Sequence, residues 1–140
     1  MYMFSQKQMQ FFEKAAEVAA TSDFEKYHLG CVAVLKNKII AASPNKLKTH
    51  RIQAEYDRFR YKCDSDFKNM HSLHAEIACI NMIKRDIDYR DLELYIVRLR
   101  KNGEYGLARP CQSCFQYILE KGIWRINYST NRGFACEIIS

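Results

Sequence analysis

The chain has 140 residues, and 22 Lys and Arg against 16 Asp and Glu give a formal net charge of +6. Hydrophobic residues make up 48% and charged residues 27%, which is typical of one globular domain and excludes a disordered or low-complexity chain. The excess charge fits an anionic partner such as a phosphate or nucleic acid, and fits equally well a basic protein without one.

The first part of the chain predicts a helix followed by a β-hairpin. Residues 5–21 carry apolar side chains at helical spacing, and Ser5 with Gln8 three positions later forms a capping box. Two apolar runs, 30–35 and 38–43, are joined by a Lys-Asn pair. Two-residue connections of this kind are typical of antiparallel strands, so the two runs predict a hairpin.

A polar segment separates this hairpin from the second half of the chain. Residues 44–71 are mostly polar and charged, and because a plain loop of this length is uncommon, we expect the segment to be functional or partly helical. Pro110 and Gly122 mark the start and the end of one later helix. The elements predicted after the segment are a helix over 74–85 capped by Ser72, a strand over 92–99, a helix over 111–121, and strands over 124–129 and 134–139.

The order of these elements is α-β-β-α-β-α-β-β, which is typical of a three-layer α/β/α domain. The helix over 74–85 is long enough to connect parallel strands, so we expect a βαβ unit. Residues 130–133 leave room only for a tight turn, and the last two strands should form an antiparallel hairpin. The expected fold is a five-stranded mixed sheet in one domain over 1–140, with an insertion at about 46–71.

No apolar run approaches the roughly 20 residues of a membrane span. The N-terminus lacks a basic start followed by an apolar stretch, so we expect no signal peptide, no membrane partner and a cytoplasmic location. Six cysteines in such a chain are then expected as thiols or metal ligands instead of a disulfide framework.

Two short clusters carry residue types that point to chemistry. One is His74-Ala75-Glu76, and the other is a Pro-Cys-x-x-Cys run that contains Cys111 and Cys114. Two cysteines on a first helical turn can share one tetrahedral zinc ion, and the helix N-terminus favours their thiolates. His74 can supply a third ligand and leave one position open for water, as in catalytic zinc sites. Glu76 need not be a ligand and can move protons beside that water.

Two other interpretations explain these clusters less well. A structural zinc site would lack a fourth ligand and would give Glu76 no role. A redox cysteine pair would explain neither His74 nor Glu76. The H-x-E pattern alone arises often by chance, whereas P-C-x-x-C is far rarer, so the two together are specific.

The pattern H-x-E…P-C-x-x-C resembles the cytidine deaminase superfamily, above all its deoxycytidylate and tRNA-adenosine deaminase branches. The resemblance covers about residues 5–129. It implies a cytidine-deaminase-like fold and a Zn²⁺ cofactor held by His74, Cys111 and Cys114. It also implies that Glu76 is the general acid and base. Family members usually assemble, so we expect a homo-oligomer, with surfaces offered by the apolar first helix and the aromatic-rich insertion.

Four further residues are candidates for substrate contacts. By the resemblance, Asn45 contacts the sugar, and the backbone around Ala75 and Arg109 contacts the base. Tyr128, near the end of a predicted strand, could line the same pocket or pack in the core. Arg109 departs from many family members, which carry Phe, Ser or Glu before the proline, so the pocket wall is expected to differ.

The insertion contains two further candidate sites. A basic cluster follows Asn45 directly: Lys46, Lys48, His50 and Arg51. Arg and Lys are the usual phosphate ligands, so this cluster could contact a phosphate, or it could be a solvated charged loop. A second zinc site, as in some deoxycytidylate deaminases, could be formed by His50, Cys63 and His71, although their spacing matches no compact motif.

The resemblance implies a zinc-dependent hydrolase that deaminates a cytosine nucleoside or nucleotide to the uracil product and ammonia. The insertion and the short final hairpin favour a small-molecule nucleoside or nucleotide. The net charge and the stretch YDRFRYK favour the alternative, a polynucleotide deaminase that acts on adenosine or cytosine in single-stranded RNA or DNA. A third possibility is a non-catalytic zinc-binding subunit, against which the intact Glu76 argues.

Overall fold

The structure, a computed structural model, describes residues 3–59 and 72–139. Its helices are α1 (Gln6–Ala19), α2 (Arg51–Tyr56), α3 (Ala75–Asn81) and α4 (Gln112–Lys121), and single 3-10 turns cover Asp57–Phe59 and Tyr89–Asp91. Its long strands are β1 (His28–Leu35), β2 (Lys38–Pro44), β5 (Leu92–Leu99), β7 (Arg125–Thr130) and β8 (Gly133–Ile138). Two-residue strands are β3 (Lys46–Leu47), β4 (Ser72–Leu73) and β6 (Tyr105–Gly106).

The long strands form one mixed sheet in the order β2-β1-β5-β7-β8, with β6 paired beside β5. β1 is antiparallel to β2 and β5, β5 is parallel to β7, and β7 is antiparallel to β8. β2 and β5 therefore run in the same direction on either side of β1, and α3 crosses between them. The predicted mixed sheet, βαβ unit and final hairpin are confirmed, with β6 as an additional short strand in the sheet.

Helices cover both faces of the sheet. Successive strand residues point to opposite faces. The face toward α1 carries Val32, Val34, Tyr95 and Val97, which pack with Phe11, Phe12 and Ala15. The face toward α3 and α4 carries Cys31, Ala33, Leu94 and Ile96, which pack with Ile77, Ile80 and Ile118. The three-layer α/β/α arrangement predicted from the element order is confirmed.

The capping and turn signals act as the sequence predicts. The Ser5 hydroxyl accepts a hydrogen bond from the Gln8 N–H at 3.1 Å, and the Ser5 N–H donates to the Gln8 side chain at 2.8 Å. Lys36 and Asn37 both have positive φ, 49° and 66°, which matches the twist of a two-residue hairpin. Gly122 ends α4 at φ 94°, a conformation that glycine adopts without strain.

The start and end of α3 differ from the prediction. Ser72 is not its cap, because it lies in β4 opposite Leu47, and His74 is the residue that precedes the helix. The helix ends at Asn81 and not at 85. Beyond it Met82, Lys84 and Arg85 are exposed, while Ile83 and Ile87 still pack against the core from non-helical backbone.

The insertion is partly helical in its described portion. α2 and the 3-10 turn Asp57–Phe59 pack beside α4, where the Tyr56 and Tyr117 rings meet edge to face at 5.0 Å. Residues 60–71 lie outside the described part of the chain, and so do two members of the predicted second zinc site, Cys63 and His71. No helix in the described ranges is both long and apolar enough to span a membrane.

Candidate active site

The two predicted metal-binding motifs meet where α3 and α4 begin. His74 immediately precedes α3, Cys111 immediately precedes α4, and Cys114 lies in the first turn of α4. Both helices pack on the same face of the sheet, so residues 37 and 40 positions apart in sequence come into contact. The two motifs that the sequence pairs therefore come together because the N-termini of α3 and α4 lie side by side.

The three donor atoms have the spacing that zinc requires. His74 Nδ1 lies 3.4 Å from Sγ of Cys111 and 3.4 Å from Sγ of Cys114. All three atoms lie within 4.8 Å of one another. Tetrahedral zinc, about 2.0 Å from nitrogen and about 2.3 Å from sulfur, requires N–S separations of about 3.5 Å. One imidazole and two thiols at these distances therefore fit a zinc ion.

The two cysteines differ in acidity. Hydrogen bonding from Cys114 and from His74 lowers the pKa of Cys111 to about 3, against the opposing effect of its burial. Burial raises the pKa of Cys114, and the negative charge of Cys111 raises it further. Cys111 therefore favours its thiolate form, and a bound metal ion would favour the thiolate of Cys114 as well.

Glu76 lies beside the donor atoms with a carboxyl group suited to proton transfer. It is 4% exposed, and burial, followed by the charge on Cys111, raises its pKa to about 7. Its Oε1 has no hydrogen-bond partner within residues 3–59 and 72–139. A carboxyl that titrates near neutral pH and has an available oxygen can both accept and donate a proton.

A cleft of about 330 Å³ opens onto these groups and is lined by His74, Glu76 and Cys111. Its walls also include Tyr27, Leu29, Arg98 and the segment 107–109. A lining that combines apolar and aromatic groups with a few titratable groups is typical of a small-molecule site.

Buried polar side chains tie the insertion to both metal-binding motifs. The His74 N–H donates to Gln53 Oε1 at 2.9 Å, and Gln53 Nε2 donates to Asp57 Oδ1 at 2.8 Å. The Ser113 hydroxyl donates to the same Asp57 oxygen at 2.9 Å. Gln53, Asp57 and Ser113 are all at most 3% exposed, so water does not compete for these bonds. The network fixes the backbone at His74 and the helix turn that carries Cys114.

Arg109 and Tyr128 meet at a third residue. The Arg109 guanidinium donates twice to Glu137, from Nε at 2.9 Å and from Nη2 at 2.8 Å, and the Tyr128 hydroxyl donates to Glu137 at 2.9 Å. Arg109 lines the cleft, whereas Tyr128 is buried and is not among the lining residues. Tyr128 is linked to the cleft residue Arg109 through their shared partner Glu137.

Asn45 holds a wall of the cleft. Its Oδ1 accepts from the Ser22 hydroxyl at 2.6 Å and from the Leu29 N–H at 2.9 Å, and its Nδ2 donates to the Tyr27 carbonyl at 3.0 Å. These bonds account for both oxygen lone pairs and one of the two amide protons. Asn45 itself is 1% exposed and is not among the residues that line the cleft, so its contact with a sugar stays a prediction.

The remaining predicted site residues lie away from the cleft lining. Ala75 is fully buried between His74 and Glu76. No member of the basic cluster lines the cleft. Lys46 lies in β3 and His50 caps α2, with Nδ1 accepting from the Ile52 N–H at 3.1 Å. The other two members are exposed: Lys48 and Arg51.

Sequence reasoning missed Arg98, Gln53 and Asp57. The signal for Arg98 is a charged residue near the end of a strand that is otherwise mostly apolar. The signal for Gln53 and Asp57 is weaker, because polar residues four apart in a polar segment are common on exposed helices.

Comparisons with known proteins agree with this geometry. The family model described as the cytidine and deoxycytidylate deaminase zinc-binding region matches residues 5–130. A dCMP deaminase from the cyanophage S-TIM5 in apo form has 20% identity and a TM-score of 0.61, with 91% of this chain and 86% of that chain covered. The same phage enzyme in complex with dCMP and dUMP has 18% identity and a TM-score of 0.60, with 92% and 85% covered.

No curated protein matches the chain significantly. At these identities the solved structures establish a shared fold, and the family match spans both metal-binding motifs and Glu76. The chain belongs to the cytidine and deoxycytidylate deaminase family.

Proposed function

We propose that the protein catalyses the zinc-dependent hydrolytic deamination of a cytosine nucleoside or nucleotide, releasing the uracil product and ammonia. The observation that carries this proposal is the buried Glu76 carboxyl, which shares a cleft with His74 and Cys111. The fold of a phage dCMP deaminase that binds dCMP and dUMP gives additional support for a nucleotide substrate.

Each group in the cleft has a distinct role in this reaction. His74, Cys111 and Cys114 would hold the zinc ion, which when bound lowers the pKa of water toward neutral. Glu76 takes a proton from the attacking water and delivers protons to the ring nitrogen and the departing amino group. Water thus adds to the ring carbon that loses ammonia. Leu29 and Leu107 provide apolar walls for the flat base.

One observation favours the alternative, a polynucleotide deaminase. A second pocket shares Tyr27 and Arg98 with the cleft and is also lined by basic residues: Lys26, Arg100 and Lys101. A row of basic side chains beside an aromatic ring is typical of surfaces that bind the backbone of a single-stranded nucleic acid. A non-catalytic zinc-binding role would give the buried Glu76 carboxyl in the cleft no function.

The proposal is tested with Glu76→Gln in a zinc-loaded protein. We expect about one zinc per chain in both the wild type and the variant, because the three ligands do not include Glu76. Ammonia release from a panel of nucleosides, nucleotides and oligonucleotides should fall by roughly 10²–10⁴-fold in the variant, the usual contribution of general acid–base catalysis.

Glu13→Gln, at an exposed position of α1, is the matched control and should leave both measurements unchanged. Loss of zinc in Glu76→Gln would make Glu76 a ligand and contradict its assigned role. No ammonia release by the wild type from any member of the panel would reject the function.

A further inference from the structure

The two arginines of the cleft differ in their partners. Arg109 is paired through two hydrogen bonds with Glu137, which neutralises its charge. Arg98 lines the same cleft and, within the described residues, forms no ion pair. A guanidinium remains charged at any pH relevant to the protein. The cleft is therefore lined by one guanidinium that has no ion-pair partner among residues 3–59 and 72–139.

The Arg98 side chain is held in place by its neighbours. Its guanidinium carbon lies 5.5 Å from the centre of the Tyr27 ring, in a cation–π contact. Its stem runs past Gly106, the residue paired with it in β6. A Cβ at position 106 would lie 3.2 Å from Arg98 Cδ and 3.4 Å from Cγ. Gly106 thus leaves room for the stem of Arg98, and the Tyr27 ring holds the guanidinium in place before any ligand binds.

We propose that Arg98 binds the phosphate of a nucleoside 5′-monophosphate whose base lies at Glu76 and the metal ligands. This inference rests on the proposed deaminase function. The planar guanidinium matches phosphate oxygens with two parallel hydrogen bonds, and a pre-positioned side chain loses little entropy on binding. Lys26, Arg100 and Lys101 in the adjoining pocket add positive potential around Arg98, although Glu25 also lines that pocket.

The size of the cleft favours a mononucleotide over a nucleic acid chain. Its volume of about 330 Å³ is near the lower end of small-molecule sites, which span roughly 300–1,000 Å³. The same geometry separates Arg98 from the basic cluster, because Arg98 lines the cleft and Lys46, Lys48, His50 and Arg51 do not. Arg98, and not the basic cluster, then determines whether the enzyme prefers a monophosphate to the plain nucleoside.

The test compares kcat/KM for deoxycytidine and for its 5′-monophosphate in wild type and in Arg98→Gln. We expect the variant to lose roughly tenfold or more on the monophosphate, the effect of losing a hydrogen bond to a charged group, with less than about a twofold change on the nucleoside. Arg98→Lys keeps the charge without the paired donors and should fall between the two. Arg132→Gln, at the exposed β7–β8 turn, is the matched control and should change neither value.

A second variant guards against an effect of Arg98→Gln on folding. Gly106→Ala keeps the arginine but displaces its stem, so it should weaken the same preference while the midpoint of thermal unfolding reports on stability. Calorimetric binding of dUMP and deoxyuridine adds a measurement that needs no turnover. The wild type should bind dUMP at least roughly tenfold more tightly than deoxyuridine, and Arg98→Gln should remove the difference.

These measurements separate the two proposals. Tight, Arg98-dependent binding of dUMP without ammonia release would reject the deaminase function and keep the phosphate site. Deamination with an unchanged monophosphate preference in Arg98→Gln would overturn the phosphate site alone. Loss of the preference on replacing Lys46, Lys48 and Arg51 together, but not on replacing Arg98, would also overturn it. So would a larger effect of Arg98→Gln on a single-stranded oligonucleotide than on the monophosphate.

Discussion

At the metal-binding residues, the backbone is held by side chains that do not themselves touch the metal. Gln53 accepts from the His74 N–H, and Asp57 accepts from both Gln53 and Ser113. Each bond lies in a region almost without solvent, so the loss of one partner leaves other polar atoms buried and unpaired. The alignment of His74 with the two cysteines therefore depends on α2, an element of the insertion.

We predict that Gln53→Ala weakens zinc binding. Residues that orient metal ligands typically contribute 10–100-fold to metal affinity, and we expect a loss in that range, measured by competition with a chromophoric chelator. The free energy of unfolding of the metal-free protein should also fall by about 1–3 kcal/mol, since the His74 N–H and Asp57 lose a buried partner. Gln10→Ala, at an exposed position of α1, is the control. Lower stability with unchanged zinc affinity would limit the network to a structural role.

The sequence predicts some residues of the site and leaves others unassigned. His74, Glu76, Cys111 and Cys114 are predicted because their chemistry requires fixed spacing within two short motifs. Arg98 could not be assigned, since its position in the cleft depends on the pairing of β5 with β6 and on the ring of Tyr27. The roles of Asn45 and of Ala75 and Arg109 toward a substrate remain predictions.

At the scale of elements, the periodic and capped segments were predictable and the short pairings were not. The strand over 92–99 matches β5 residue for residue, because it is a long apolar run. β3 and β4 are only two residues each, too short for any repeating pattern, and their pairing places β4 directly before His74. α3 ends at Asn81, before the end of its sequence signal, although Ile83 and Ile87 beyond it still contact the core.

The packing of α1 on β1 leads to a prediction at Gly30. A Cβ at this position would lie 2.5 Å from the Ala19 backbone nitrogen and would clash with the Ala15 carbonyl oxygen. Both are backbone atoms of α1, so the helix as a whole would have to move. We expect Gly30→Ala to lower the free energy of unfolding by about 3 kcal/mol, the upper end for overpacking, as measured in urea. A change below about 0.5 kcal/mol would show that α1 shifts freely on the sheet.

For the whole molecule, the net charge of +6 left both a small anion and a nucleic acid open as partners. The fold concentrates part of this charge beside the cleft, through Arg98 and the neighbouring pocket. The charge balance of a sequence cannot reveal such placement, because it depends on which strand ends meet at the active site. The choice between a nucleoside monophosphate and a nucleic acid as the substrate therefore depends on the volume of the cleft and on where individual arginines such as Arg98 lie.

The surfaces available for assembly differ from those that the sequence indicated. The first helix does not offer an apolar surface, because Phe11 and Phe12 are buried against the sheet of the same chain. Apolar side chains that remain exposed include Leu47, at 58%, and Phe59, at 37%, in the insertion. We still expect a homo-oligomer, with a mass by light scattering that is a multiple of 16.5 kDa at micromolar concentration. Because apolar contacts are not screened by salt, the mass should persist in about 1 M NaCl, where a charge-based assembly would dissociate. A 16.5 kDa particle at micromolar concentration would reject the prediction.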